Sequence, residues 1–300
     1  MYLIAGATGY VGGLLADELA GRGHDLRCIA RTPAKAKERF GDRVEIVRGD
    51  VLEPESLRPA FEGVDLAYYL VHSMGRGGDG DFVERDRRGA RNFAEAARDA
   101  GVERIVYLGG LGEGKSEHLL SRHETAEGLA STGVPLTYFR AAVVIGSGSE
   151  SLMTIAHLVK RLPAMITPSW TATRTQPIAA ADVVAYLAAA PDVAASAGRE
   201  VEIGGPDVTT YGDLLDLAAE AAGMRRRPRI GVPVLSPSLS SHWIGLITPV
   251  DAGVARPLVE GLSTETVVKD PSGMELFDVE RTPLRAAMHE AVPAALNGGK

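Results

Sequence analysis

Residues 1–24 read MYLIAGATGYVGGLLADELAGRGH, a strand, a glycine turn and a helix in succession. The apolar run from Tyr2 to Ala5 is too short for a helix and is closed by Gly6, which predicts a buried strand. Val11, Leu14, Leu15 and Leu19 then fall at the i, i+3, i+4 spacing of one helix face. Between the two, Gly6, Gly9 and Gly12 recur every third residue. Glycine suits a turn that needs unusual backbone angles, a main chain that a pyrophosphate must approach, and a helix that must lie close on its strand. The open N–H groups and positive dipole end of the new helix would face a diphosphate. The turn Gly6, Ala7, Thr8, Gly9, Tyr10, Val11 and Gly12 is therefore a candidate cofactor-binding loop. Its spacing is GxxGxxG, a variant of the GxGxxG fingerprint, and three glycines in an ordinary strand-to-helix turn are the alternative reading.

Working outward, Asp25 to Ala30 reads as a second buried strand, followed by Arg31-Thr32-Pro33-Ala34-Lys35. In NAD-specific folds an acid at the end of this strand hydrogen-bonds the adenosine ribose, whereas an arginine accommodates a 2′-phosphate. Arg31 stands there, and its guanidinium suits phosphate oxygens, with Lys35 one turn on as a further charge. Arg31, Thr32 and Lys35 are thus candidates for binding NADP(H) in preference to NAD(H). Two ordinary surface cations at a helix start are the alternative.

Val44 to Val47 gives a third strand that ends in Gly49-Asp50-Val51, and Pro54 to Phe61 a short helix. Asp65 to Val71 is the fourth strand, running into His72-Ser73-Met74 and a glycine-rich loop. A long helix from about Asp81 to Ala100 precedes a fifth strand, Arg104 to Leu108. Alternation at this spacing predicts right-handed βαβ units and a parallel sheet. Gly133 to Ile145 carries a sixth strand. Leu152, Ile155, Ala156, Val159 and Leu162 mark an amphipathic helix, and the irregular apolar stretch from Leu162 to Trp170 would wall a substrate cleft. A helix from Ala181, a seventh strand at Val201 to Ile203, and a helix from Tyr211 to Ala222 capped by Thr209 or Thr210 complete the pattern.

Hydrophobic residues at 45% and charged residues at 24% of 300 fit a globular chain with a sizeable core and argue against disorder. A formal charge of −7 leaves no overall basic field for nucleic acid or an anionic membrane. The single cysteine, Cys28, allows no internal disulfide, and no apolar run reaches ~18 residues, so a cytoplasmic protein without membrane spans is expected. No His, Cys or carboxylate cluster has metal-ligand spacing, and no GxSxG elbow is present.

By this point the chain resembles the extended and atypical short-chain dehydrogenase/reductases, and within them the NmrA-like NAD(P)H-binding proteins. The resemblance is carried by GATGYVGG at 6–13, GDV at 49–51, YYLVHSM at 68–74, VERIVYLGGLG at 102–112, GVPLTYFRAAVVIG at 133–146 and TQPIAAADVVAYL at 175–187. It implies a doubly wound parallel Rossmann sheet from 1–145 plus 175–203, with 146–174 and 204–300 as a smaller substrate-side lobe. It also implies adenine contacts at Asp50 and Val51, and a cofactor lining from Leu70, Val71, His72 and Leu108.

Such proteins carry a Ser after the fifth strand and a Tyr-x-x-x-Lys on the next helix. Here Gly109 and Gly110 stand in place of the Ser, and His118 and Arg122 in place of the Tyr and Lys. His118 could donate a proton near neutral pH, and Arg122 could hold ribose hydroxyls but cannot shuttle a proton. His72, at the sheet edge where the nicotinamide should lie, is the preferred proton donor, with Ser73 assisting; either histidine could instead be structural. Two functions follow: an NADP(H)-dependent reductase of a small carbonyl, quinone or unsaturated substrate, or a non-catalytic NADP(H) sensor that signals to a protein partner. A monomer or homodimer is expected in either case.

Overall fold

The computed structural model describes residues 1–71, 82–113, 117–162, 165–167, 169–231 and 262–297. Strands and helices alternate as β1 (Tyr2–Ala5), α1 (Tyr10–Gly21), β2 (Leu26–Ala30), α2 (Pro33–Phe40), β3 (Glu45–Arg48), α3 (Pro54–Leu57), β4 (Leu66–Tyr69), α4 (Phe82–Asp99), β5 (Arg104–Gly110), α5 (Glu117–Ala130) and β6 (Leu136–Ala141). There follow β7 (Val144–Ile145), α6 (Glu150–Arg161), β8 (Met165–Thr167), β9 (Arg174–Thr175), β10 (Ile178–Ala179), α7 (Ala180–Ala189), β11 (Glu200–Ile203), β12 (Thr209–Thr210), α8 (Tyr211–Ala221), β13 (Arg229–Gly231) and α9 (Leu284–Asn297).

The main sheet has seven strands in the order β11-β6-β5-β4-β1-β2-β3. Every neighbouring pair in it is parallel. Because the order reverses between β1 and β4, the connections leaving these two strands run to opposite faces and open a crevice at their C-terminal ends. Both faces are covered, so the central strands β1 and β4 are apolar throughout, whereas the edge strands β3 and β11 carry charged residues. Ile4 and Cys28 face Leu15 and Leu19 of α1 and Tyr186 of α7. Leu3, Ala67 and Tyr107 face Phe93 and Ala97 of α4 and Leu129 of α5. Each fully buried large side chain contributes roughly 1.5–3 kcal/mol.

A third core joins α6, α8 and α9 through Leu152, Ala156, Leu214, Ala218, Met288 and Val292. The expected cap is present: Thr210 Oγ1 accepts from Asp213 N at 3.2 Å. One stretch differs from the sequence reading, which places all of 204–300 on the substrate side. Met274 and Phe277 belong to the core of the main sheet, where Phe277 lies 5.4 Å from Phe139 and 5.5 Å from Tyr186 between ring centres. Lys269 N and Asp270 N donate to Glu202 Oε2 at 2.6 and 3.1 Å, so this segment lies along the β11 edge that a parallel sheet would otherwise leave open. Isolated apolar residues in an irregular stretch carry no period that could announce such packing.

Candidate functional site

The turn after β1 is shaped by two close approaches. Gly6 holds φ at +96°, and a Cβ there would stand 2.4 Å from the carbonyl oxygen of Leu70. A Cβ on Gly12 would stand 2.3 Å from the Gly6 oxygen, so the first turn of α1 sits directly on the loop. Gly9 N donates to Gly6 O at 2.9 Å, and Gly13 N to Gly9 O at 3.0 Å. Gly9 caps the helix without a side chain. The N–H groups of Tyr10, Val11 and Gly12 precede the first intrahelical bond and are available to an anion.

Above this turn lies a cleft of about 250 Å³ at the C-terminal ends of β1, β2 and β4. Of the residues singled out in the sequence, Gly6, Thr8, Gly9, Arg31, Asp50, Val51, Leu70 and Val71 border it. Arg31 is exposed, with no hydrogen bond or ion pair among the described residues, while Thr32 caps α2 with no side-chain bond and Lys35 is exposed one turn on. Asp50 is held in a tight turn: its Oδ1 accepts from Leu52 N and its N–H donates to Ser56 Oγ, both at 2.9 Å. Asn92 Nδ2 donates to Val51 O at 2.8 Å, which ties this turn to α4.

Other candidates lie elsewhere. Ala7 is buried in the core, with Val11 and Leu108 packed against it. The Tyr10 ring covers Gly146 and Gly148, where a Cβ would meet it at 2.4 Å, and lines a separate groove between α1, α7 and α9. His72 and Ser73 lie outside the described residues. His118 falls in the first turn of α5, with its side chain outside them. Arg122 is half-buried at the end of β5, its Cγ 4.0 Å from where a Gly110 Cβ would stand, and its carbonyl accepts from the Tyr107 hydroxyl at 3.3 Å.

At Gly109, one of the two positions where the Ser is expected, the space is occupied. A Cβ on Gly109 would meet Tyr138 Cε2 at 2.7 Å and its hydroxyl oxygen at 2.8 Å. Tyr107 and Tyr138 stack across β5 and β6 with ring centres 5.1 Å apart. Burial pushes the hydroxyl pKa of both upward, so each stays protonated and is a weak acid. Arg140 fixes the chain beyond, donating to Gly110 O at 3.2 Å and Gly112 O at 2.8 Å while its guanidinium pairs with Glu200. Cys28 offers no reactive thiolate, because burial pushes its thiol up to about 12.

Sequence reasoning missed Asp86 and Glu150, which also border the cleft, and Gly89, which lets α4 approach Val51 and the Tyr69 hydroxyl. The pairing of Gly89 with Asn92 on one helix face was the available signal for α4. Asp86 looked like one more charge in an arginine-rich helix.

Residues 6–133 match the NAD(P)H-binding family. The chain is 34% identical over 116 residues to cinnamoyl-CoA reductase 1 of Oryza sativa subsp. japonica, a match covering 36% of this chain and 34% of that one. It is 27% identical over 185 residues to sanguinarine reductase of Eschscholzia californica, covering 46% and 67%. The chain thus spans about a third of the length of the first of these relatives and about two thirds of the second. Its fold matches the crystal structure of the Citrobacter sp. triphenylmethane reductase complexed with NADP(H), with a TM-score of 0.72 at 22% identity over 97% of this chain and 99% of that one. Residues 6–133 thus resemble an NAD(P)H-binding domain, and the whole chain shares the fold of that reductase. The glycine turn fits such a ligand: Cβ atoms at Gly6 and Gly12 would run into the Leu70 and Gly6 carbonyls, so only glycine lets the loop and the first turn of α1 pack this closely and leave their N–H groups open.

Proposed function

We propose that this NAD(P)H-binding chain is an NADP(H)-dependent reductase of a small carbonyl, quinone or otherwise unsaturated substrate. The observation that carries the cofactor choice is Arg31, an exposed guanidinium without a protein partner among the described residues, bordering the cleft at the end of β2. Arg31 and Lys35 would hold a 2′-phosphate, the N-terminus of α1 the diphosphate, Asp50 and Val51 the adenine, and Arg122 ribose hydroxyls. When bound, the cofactor supplies a hydride. The protein's share is orientation and a proton, for which His72 is the preferred donor and His118 the second, because an imidazole is protonated often enough near neutral pH to serve a reduction. The reductase names of the two curated relatives support the reaction class. A cytoplasmic location belongs to the same proposal; no described helix is long and apolar enough to cross a membrane.

A second reading, a non-catalytic NADP(H) sensor acting on a protein partner, is favoured by the absence of the usual Ser at Gly109 and Gly110, with Tyr138 filling the space at Gly109. Fluorescence titration should show NADPH bound more tightly than NADH, and Arg31→Asp should reverse the order, since a charge-assisted bond of roughly 1.5–3 kcal/mol gives way to repulsion. Equal affinities in the unmodified protein would refute the preference. Incubation with NADPH and a panel of quinones, aldehydes and enones separates the two functions. Absorbance loss marks the reductase, whereas binding without turnover, with different affinities for NADP+ and NADPH, marks the sensor.

A further inference from the structure

We propose that Asp86 is a cofactor-binding residue whose carboxylate accepts a hydrogen bond from a hydroxyl of the nicotinamide-side ribose. Asp86 sits on α4, is 6% exposed, and borders the same cleft as Gly6 and Arg31. A buried carboxylate is costly unless hydrogen bonds replace its hydration. Ser121 Oγ donates to Asp86 Oδ2 at 3.0 Å, and no ion pair reaches the carboxylate among the described residues. An ionised carboxylate accepts about four hydrogen bonds, so much of its capacity is left on a group that faces the nucleotide cleft.

The chemistry of a dinucleotide selects what can use that capacity. Its phosphates are negative and accept only, so a carboxylate beside them is repulsive unless it meets a neutral donor. The donors near the diphosphate are ribose hydroxyls. Asp50, the other aspartate bordering the cleft, lies with Val51 and Arg31 at the adenine end. Asp86 belongs to the other end through α5, because its partner Ser121 precedes Arg122, the residue assigned above to a ribose. This helix is pinned at two neighbouring residues: the Ser121 side chain bonds α4, and the Arg122 carbonyl accepts from Tyr107 of β5 at 3.3 Å. Burial is the main reason the hydroxyl pKa values of Tyr69 and Tyr107 are raised, and both hydroxyls also feel Asp86, which raises them, and Arg122, which lowers them, with Asp50 a weaker influence on Tyr69 alone; Asp86 and Arg122 therefore share one neighbourhood. A sugar between them gives hydrogen bonds to the carboxylate and receives them from the guanidinium.

The inference rests on the NAD(P)H reading, and the test separates the two. The unmodified protein and Asp86→Asn are titrated with NADPH, with an NADPH analogue whose nicotinamide-side ribose lacks both hydroxyls, and with adenosine 2′,5′-bisphosphate. The analogue should bind the unmodified protein about tenfold more weakly than NADPH, as expected for loss of a charge-assisted bond. Asp86→Asn should weaken NADPH by a similar factor, bind the analogue as the unmodified protein does, and leave the bisphosphate within twofold. Unchanged or tighter NADPH binding by Asp86→Asn, from relief of repulsion alone, would overturn the assignment; so would equal losses for NADPH and the bisphosphate, which mark a structural role. If Asp86→Asn does not fold, the analogue on the unmodified protein decides: full affinity without the hydroxyls overturns the proposal. Failure of the unmodified protein to bind NADPH or NADH at all overturns both readings.

Discussion

Gly109 limits what the end of β5 can do chemically. The Tyr138 ring and hydroxyl already fill the space a side chain would need, with approaches of 2.7 and 2.8 Å. Restoring the group's usual hydroxyl by Gly109→Ser is therefore an overpacking change, expected to cost ~1–3 kcal/mol in urea unfolding without raising turnover. Part of that stability should return when Tyr138→Val is added; a Gly109→Ser variant as stable as the parent would show that Tyr138 moves aside freely. On the proposed reductase reading, with no serine at 109 or 110, the proton comes from elsewhere, and the two histidines make different predictions. Loss of a general acid lowers turnover by roughly 10²–10⁴-fold with little change in cofactor affinity, whereas loss of a structural contact weakens binding or stability first. His72→Ala should show the first pattern in NADPH oxidation assays on any accepted substrate. Normal turnover by His72→Ala, or inactivity confined to His118→Ala, would move the acid to α5.

Among the elements, those with a strong period and a punctuating residue were legible in the sequence. The β1 run ended by Gly6, the α1 face of Leu14, Leu15 and Leu19, and the Thr210 cap all appear where the residues placed them. Eight of the proposed cofactor residues converge on one cleft because they sit at strand ends, and strand ends meet at the switch point. Tyr10 does not join them, since a side chain at a helix start can turn to either lobe and Gly146 and Gly148 leave room for it on the far side. Asp86 and Tyr138 were illegible because their roles depend on partners 35 and 29 positions away, which no local pattern encodes. The α9 helix was legible but unread: Leu284, Ala287, Met288, Ala291, Val292 and Ala295 have helical spacing, masked by Pro293 within the run. Its packing is substantial. Met288 is fully buried against α6 and α8, so Met288→Ala should cost ~2–5 kcal/mol, while Arg285→Ala on the exposed side should stay within about 0.5 kcal/mol. Equal effects of the two in thermal unfolding would mean that α9 does not contribute its buried face to the third core.

Across the whole molecule, the cofactor turn and the third core meet through α6, which begins at the cleft with Glu150 and runs into the packing of α8 and α9. Loosening of that core would therefore be felt at the cleft, and the chain carries a group that makes its stability depend on pH. His157 on α6 is 8% exposed and its Nδ1 has no hydrogen-bond partner among the described residues. Burial first, and then the nearby cations Arg161 and Lys160, push its pKa below the ordinary 6.5. Above that value the imidazole is neutral in both folded and unfolded chains and contributes no pH dependence. As the pH falls below 6.5 the unfolded chain takes up a proton that the folded chain resists, so the unfolded state is favoured and stability drops until the lowered folded pKa is passed. The urea midpoint should fall between pH 7.5 and pH 5.5, and His157→Leu, which fills a similar volume without titrating, should flatten the curve over that interval. The difference between the two proteins isolates His157 from the carboxylates, which titrate mainly at lower pH. Parallel curves for parent and variant would show that the buried imidazole is not the source; a shallower curve for the variant, with NADPH affinity holding better at pH 5.5, would tie the third core to the cofactor cleft.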